Sequence, residues 1–377
     1  MVAQLRAKLT APLLCFLLLA TLAGCSLIPT NGLSPTSNLA LPAPMMLSQV
    51  GSRPVIVPTA ANKPALHLMG ATVWGLPADI DQQHEGFGEA QYAQRTTVLQ
   101  TLKNWGANAI RLRLDVSAMQ GGAGLTQAQY IQHVVDWVRE ATAQNLYVNI
   151  CFWDSLYNAN NKWFGGYKQD FNFMRTVYAA LGNNPRVVYE PWNEPNGLSA
   201  SDWLTAMQDT VGFYRSFGYH GVLIIDLPNW AHDYDPQGMS ALVHYDSRQP
   251  GMNGGAQIAF AHHDYANNRA WSGNWTGDQH WVELLGGANN PFPIVETEVG
   301  NYTTGNADLP LESPGWSKKA ATFFGGPALR LSFYGGAFAF VFGAWGDNNA
   351  ITGADNQTLT AWGQDVKQFL LAPSKAA

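Results

Sequence analysis

Two acidic stretches of this chain have residue types and spacing suited to bond cleavage. The first is Arg186-Val187-Val188-Tyr189-Glu190-Pro191-Trp192-Asn193-Glu194-Pro195-Asn196-Gly197. Its β-branched and aromatic start reads as a buried strand, and its Pro, Asn and Gly read as the loop that ends it. A carboxylate at such a break is costly unless it is paired or has a chemical task, so Glu194 is a catalytic candidate. Glu190, deeper along the same strand, reads as a buried, hydrogen-bonded structural acid. The second stretch is Pro293-Ile294-Val295-Glu296-Thr297-Glu298-Val299-Gly300. Glu296 and Glu298 share parity and are expected on one side of a strand, with Glu298 nearer its C-terminal end and Glu296 as the alternative. Two carboxylates facing each other over a cleft suit cleavage of a glycosidic bond. One, protonated, assists the leaving oxygen, and the other, ionised, attacks the anomeric carbon. A separation of about 5–5.5 Å means retention of configuration, and a wider gap means inversion.

The elements that must position these groups alternate in type. Strand-like runs fall at 66–75, 107–115, 146–153, 186–190, 221–227, 258–263, 292–298 and 337–345. Helical patterns fall at 91–105, 126–143, 170–181, 201–217, 278–285, 316–331 and 358–371, the second opened by the capping box Thr126-Gln127-Ala128-Gln129. Residues 228–257 read as irregular. Eight strands alternating with helices imply an α/β fold, a single (β/α)8 TIM barrel. Such a barrel carries its chemistry at the C-terminal strand ends, where Trp74, Arg111, Arg113, Trp153, Asp154, Asn193, Glu194, Trp230, His262, His263, Tyr265, Glu298 and Trp345 fall. Strands four and seven, which carry Glu194 and Glu298, then lie across the mouth from one another.

On these residues the chain resembles glycoside hydrolase clan A, family 5 in particular. The matching motifs are Asn193-Glu194-Pro195, Thr297-Glu298-Val299-Gly300, Gly106-Ala107-Asn108-Ala109-Ile110-Arg111 and His263-Asp264-Tyr265, with Trp345 after strand eight. The resemblance implies a retaining hydrolase of β-linked polysaccharide or oligosaccharide, with a β-1,4-glucan first and β-mannan or another β-glucan next; the alternatives are a transglycosylase using the same residues and a catalytically silent, glycan-binding surface lipoprotein. It implies Glu194 as acid/base and Glu298 as nucleophile. Asn193 would bind the sugar 2-hydroxyl, and Arg111 would hold Glu298 ionised. Tyr265 would donate to the nucleophile, His263 would orient the site, and Trp345 would floor the subsite. Trp153 stands where the family has a histidine, and residues 149–151 lack the family's usual acid.

Composition agrees with a large aromatic core: 46% of the 377 residues are hydrophobic, 14 are Trp and 13% are charged. A net charge of −6 with scattered Lys and Arg gives no nucleic-acid patch. His262 and His263 point to opposite strand faces, so no metal site is expected there, and no cofactor. Trp74, Trp153 and Trp230 sit at strand ends, where aromatic faces can stack on sugars. A monomer is expected.

The N-terminus carries Arg6 and Lys8 before an apolar run too short to span a bilayer, and Leu22-Ala23-Gly24-Cys25 resembles a bacterial lipobox. The expected order is a signal peptide (1–24), a tether of lipidated Cys25 and Pro/Ser-rich sequence (25–64), and the catalytic domain (65–377). Met45 to Val57 has enough apolar content to pack on the domain. Ser26 after the cysteine implies outer-membrane placement in the cell envelope. Cys151 remains as a lone, small, buried residue, so no internal disulfide is expected.

Overall fold

Ile110, Leu112 and Leu114 alternate with Arg111, Arg113 and Asp115, a period of two that gives one strand an apolar face and a charged one. In the computed structural model this is β4 (Ala109–Asp115), buried along its whole length. The structure describes residues 45–50, 53–57, 66–75, 91–115, 124–153, 167–265, 290–300, 334–343, 350–353 and 355–371. Eight parallel strands close into a barrel in the order β10-β3-β4-β5-β6-β7-β8-β9. The others are β3 (Leu68–Val73), β5 (Tyr147–Trp153), β6 (Val187–Glu190), β7 (Leu223–Asp226), β8 (Ile258–Tyr265), β9 (Ile294–Gly300) and β10 (Tyr334–Phe342). The expected (β/α)8 barrel is therefore present, with each expected strand in place. The largest shift is in β10, which starts three residues before 337 because Tyr334 already pairs with Ile294.

The apolar face of each strand turns out to the helices. Ile110, Leu112, Ile150, Phe152 and Tyr189 pack there with helix residues such as Trp137 and Trp203. Each such side chain contributes about 1.5–3 kcal/mol relative to exposure. The helices described are α1 (Arg95–Asn104), α2 (Gln127–Ala143), α3 (Phe171–Leu181), α4 (Ala200–Ser216), α5 (Pro236–Ser247) and α6 (Ala361–Leu371). Thr126 and Gln129 form the capping box that opens α2. The expected helices at 278–285 and 316–331 lie outside the described residues. Among those described, no helix is long and apolar enough to cross a membrane.

Residues 228–257 are not all irregular: α5 lies within them. Asp235 caps it, accepting from the backbone of Gln237 and Gly238, and Pro236 occupies its first turn. Met239 and Leu242 anchor its buried side, and Asp246 receives Arg215 of α4 at 2.7 Å. The Asp-Pro pair is a helix start that polar, turn-like neighbours disguise.

The barrel floor is apolar and is closed by a hairpin. β1 (Met46–Val50) and β2 (Arg53–Val57) pair antiparallel. Met45 and Ile56 are buried against Leu68, Ala109, Val188 and Phe338, the lowest inward layer of the barrel. The backbone N–H of Val222 donates to Met45, and that of Leu66 to Ile56. Part of the stretch read as a tether (25–64) is thus packed structure that plugs the barrel; Cys25 and the signal region lie outside the described residues.

Candidate active site

Above that floor the inward side chains become polar. Parallel pairing sets Arg111 of β4 beside Asn149 of β5, and Cys151 beside Glu190 of β6. Arg111 is fully buried and organises this layer. Its Nε and Nη2 donate to the two oxygens of Glu190 at 2.9 and 2.6 Å, a bidentate pair. Its Nη1 donates to Glu298 Oε1 at 2.6 Å, and Nη2 also reaches Asn193 Oδ1 at 2.6 Å and Cys151 Sγ at 3.0 Å. Asn149 Nδ2 donates to Glu190. Burial pushes the Glu190 carboxyl up, but the charge and hydrogen bonds of Arg111 outweigh it and hold Glu190 below the usual range. Glu190 is therefore an ionised partner of the guanidinium.

Glu194 has a different environment. It follows β6 in a left-handed conformation, φ 51°, which side-chain-bearing residues seldom adopt. Its backbone N–H donates to Asp226 Oδ2 at 2.8 Å, and its Oε1 lies 2.8 Å from His263 Nδ1. Its side chain is 19% exposed, against 2% for Glu298. Burial, opposed by Arg111 and reinforced by Glu190, raises the Glu194 carboxyl to about 7. His263 is pushed down to about 4, chiefly by burial, so its ring is neutral at neutral pH. That ring links the two acids: Nδ1 is also 3.6 Å from Glu298 Oε2, and Nε2 is 3.0 Å from Thr297 Oγ1. One ligand atom each of Glu194, His263 and Glu298 lie within 4.8 Å of one another. A half-protonated acid thus faces a carboxylate paired with arginine, the arrangement that assisted departure and nucleophilic attack require.

Parity fails as a guide to Glu296. β9 carries a bulge, with His262 opposite Glu296 and His263 opposite Glu298, so Thr297 is an extra residue. Glu296 consequently leaves the interior. It pairs with His262, Nδ1 to Oε2 at 2.8 Å, on the outer side where Phe260 and Ile294 also lie. Glu298 is the inward carboxylate.

Glu190, Asp226 and His263 also bring ligand atoms within 4.8 Å of one another. Both oxygens of Glu190 and one of Glu298 already accept from Arg111. A second cation there would meet that guanidinium, whereas a shared proton would not.

At the rim, Arg113 lies 3.3 Å over the Trp74 ring and 4.2 Å over that of Trp153. Trp153 also stacks on Phe340 of β10 at 6.1 Å and 17°. Much of the Trp153 surface is thereby engaged by protein. Trp230 is half-buried in a turn of left-handed residues after β7, and its backbone N–H donates to Pro195 O, tying that turn to the Glu194 loop. Tyr265 ends β8 opposite Gly300, and its side chain lies outside what the structure describes. Trp345 and Asp154 also lie outside the described residues. The structure adds Asn149, Asp226, Cys151 and Thr297 to the site. For Asn149 and Cys151 the available signal is shared parity on β5, the strand between Arg111 of β4 and Glu190 of β6; Asp226 and Thr297 carry no such signal.

The family model for cellulase (glycosyl hydrolase family 5) matches residues 77–314. The chain belongs to glycosyl hydrolase family 5. Endoglucanase Z of Dickeya dadantii (strain 3937) is 26% identical over 230 residues, 60% of this chain and 46% of that protein. A mannan endo-1,4-beta-mannosidase of Cellvibrio japonicus (strain Ueda107) is 24% identical over 200 residues, 49% of this chain and 39% of its own. The chain spans less than half the length of these curated relatives. Among solved structures, the mannanase catalytic domain of Streptomyces sp. SirexAA-E superposes with a TM-score of 0.64 at 16% identity, covering 93% of this chain and 98% of that one. An endoglucanase catalytic domain of Thermobifida fusca gives 0.60 at 18% identity, covering 86% and 97%. These likenesses carry the family 5 fold.

Proposed function

We propose that this family 5 chain is a retaining glycoside hydrolase acting on β-linked polysaccharide or oligosaccharide. The observation that carries the reading is the approach of Glu194 and Glu298 oxygens to within 4.8 Å, close to retaining spacing and short of the ~6.5–9.5 Å of inverting pairs. Glu194 protonates the leaving oxygen, and Glu298 attacks the anomeric carbon to form a glycosyl ester. Water, deprotonated by Glu194, then releases the sugar with its configuration restored. Asn193 gives its Oδ1 to Arg111, which leaves its amide N–H groups for a sugar hydroxyl.

A β-1,4-glucan is the substrate we favour, and the mannanase relatives make β-mannan the second candidate. We place the enzyme, as a monomer, on the outer membrane through lipid on Cys25, a reading supported by the Leu22-Ala23-Gly24-Cys25 sequence. Metabolic palmitate labelling lost in Cys25→Ala tests the anchor, and gel filtration tests the monomer. Digestion of glucan, mannan, xylan and xyloglucan, with product lengths followed in time, tests the substrate. For the mechanism, Glu298→Ala should abolish turnover, and azide should restore it with a glycosyl azide of inverted anomer. Turnover by that variant without azide would overturn the assignment.

A further inference from the structure

Asp226, like Glu190, is a carboxyl of this site that no catalytic role uses, and unlike Glu190 it takes no hydrogen bond from Arg111. It ends β7, is almost wholly buried, and points into the polar layer between Glu190 and His263. Its Oδ2 accepts the backbone N–H of Glu194 at 2.8 Å and lies 3.6 Å from His263 Nε2. The residue it grips is one of the few side-chain-bearing residues with a positive φ. An acceptor placed there gives that peptide a reason to keep a conformation that open chain disfavours.

We propose that Asp226 is a positioning residue for Glu194: its carboxyl fixes the left-handed peptide that aims the acid at Glu298. The proposal rests on the retaining reading above. It also assigns the carboxyl a protonation state. The charged and titratable groups facing it are Glu190 of β6, Arg111 of β4, His263 of β8 and, further off, Cys151 of β5 and Glu298 of β9. Arg111 is already shared by Glu190 and Glu298. A third buried anion would lack a cation, so Asp226 keeps its proton. Burial first, and the charge of Glu190 second, hold it well above the usual carboxylate range. A neutral Asp226 adds no charge beside Glu194, so it fixes where the acid sits without changing its acidity.

An asparagine can do the same, accepting from the Glu194 N–H with Oδ1 while adding no charge. Asp226→Asn should keep kcat within about threefold and leave the alkaline limb of the pH profile in place. Asp226→Ala should lower kcat about 100-fold with little change in KM, the scale of a misaimed catalytic group. Difference infrared spectra at neutral pH should show a carboxylic-acid C=O band lost in Asp226→Asn but kept in Glu298→Gln. The proposal is overturned if the asparagine variant loses as much as the alanine one, or if its alkaline limb moves by about a unit. Full activity in the alanine variant overturns it too. If Asp226→Ala does not fold, the asparagine variant and the band decide. A wild-type chain inactive on every β-glycan would sink the proposed function, yet the band would still test Asp226.

Discussion

Two histidine–glutamate pairs sit on opposite sides of β8, and they meet different fates. His262 and Glu296 are 2.8 Å apart outside the barrel wall, and His263 and Glu194 are 2.8 Å apart inside it. Both histidines are driven down by burial, His262 to about 3 and His263 to about 4. The acids differ. Glu296 is held well above the usual range by burial alone, whereas Glu194 is opposed by Arg111 and reaches only about 7. The Glu194 side chain is also open to the cleft, and that of Glu296 is sealed. A hydrogen-bonded pair is therefore no signature of a catalytic pair. A nearby cation and a path to solvent make the inner one usable.

Substitution should separate the pairs most sharply. Glu298→Gln should lower kcat on the order of 10⁴–10⁶-fold, the range seen when a covalent nucleophile is lost. Glu194→Gln should cost about 10²–10⁴-fold, the contribution of general acid catalysis. Glu296→Gln should leave kcat within a few-fold. A large loss in Glu296→Gln, measured on protein of unchanged fold, would erase the distinction between inside and outside.

The pH profile sharpens the same contrast. The first step needs Glu194 protonated, so kcat/KM should fall as pH rises through about 7. That limb should vanish in Glu194→Gln and persist in Glu296→Gln.

The smallest effect is on stability. In the fold Glu296 holds a proton and His262 lacks one; unfolded, they titrate near 4.5 and 6.5. The contribution of Glu296 is present below about 4.5 and lost as pH rises. That of His262 is present above about 6.5 and lost as pH falls toward 3. Between 4.5 and 6.5 the pair binds one proton in either state, so its two slopes cancel. Glu296→Gln should break that balance and lose up to about 1.4 kcal/mol per pH unit as pH falls below 6.5. Denaturant midpoints at several pH values measure it, and slopes identical to wild type would refute the neutral pair.

Much of this arrangement is legible in the amino-acid sequence. Glu194, Asn193 and Arg111 stand out because a buried strand ending in polar groups needs a reason. Glu298 stands out from Glu296 by lying nearer the strand's C-terminal end and by its motif, whereas the parity that sets both on one side does not hold. A bulge adds a residue to one strand, and Thr297 looks ordinary in a single sequence. Asp226 carries no signal of its own, because an acid at the end of an apolar run resembles an ordinary strand terminus. The partners of Arg111 come from three other strands, and no local pattern states which strands become neighbours.

That last property makes Arg111 a register check on the whole molecule. Its partners lie 40, 79, 82 and 187 residues further along the chain. A one-residue slip of β4, β6 or β9 would remove a charged partner and leave a charge in the barrel unanswered. A half-assembled barrel therefore holds no partly working site, and misthreaded forms carry an electrostatic fault that the native order alone repairs.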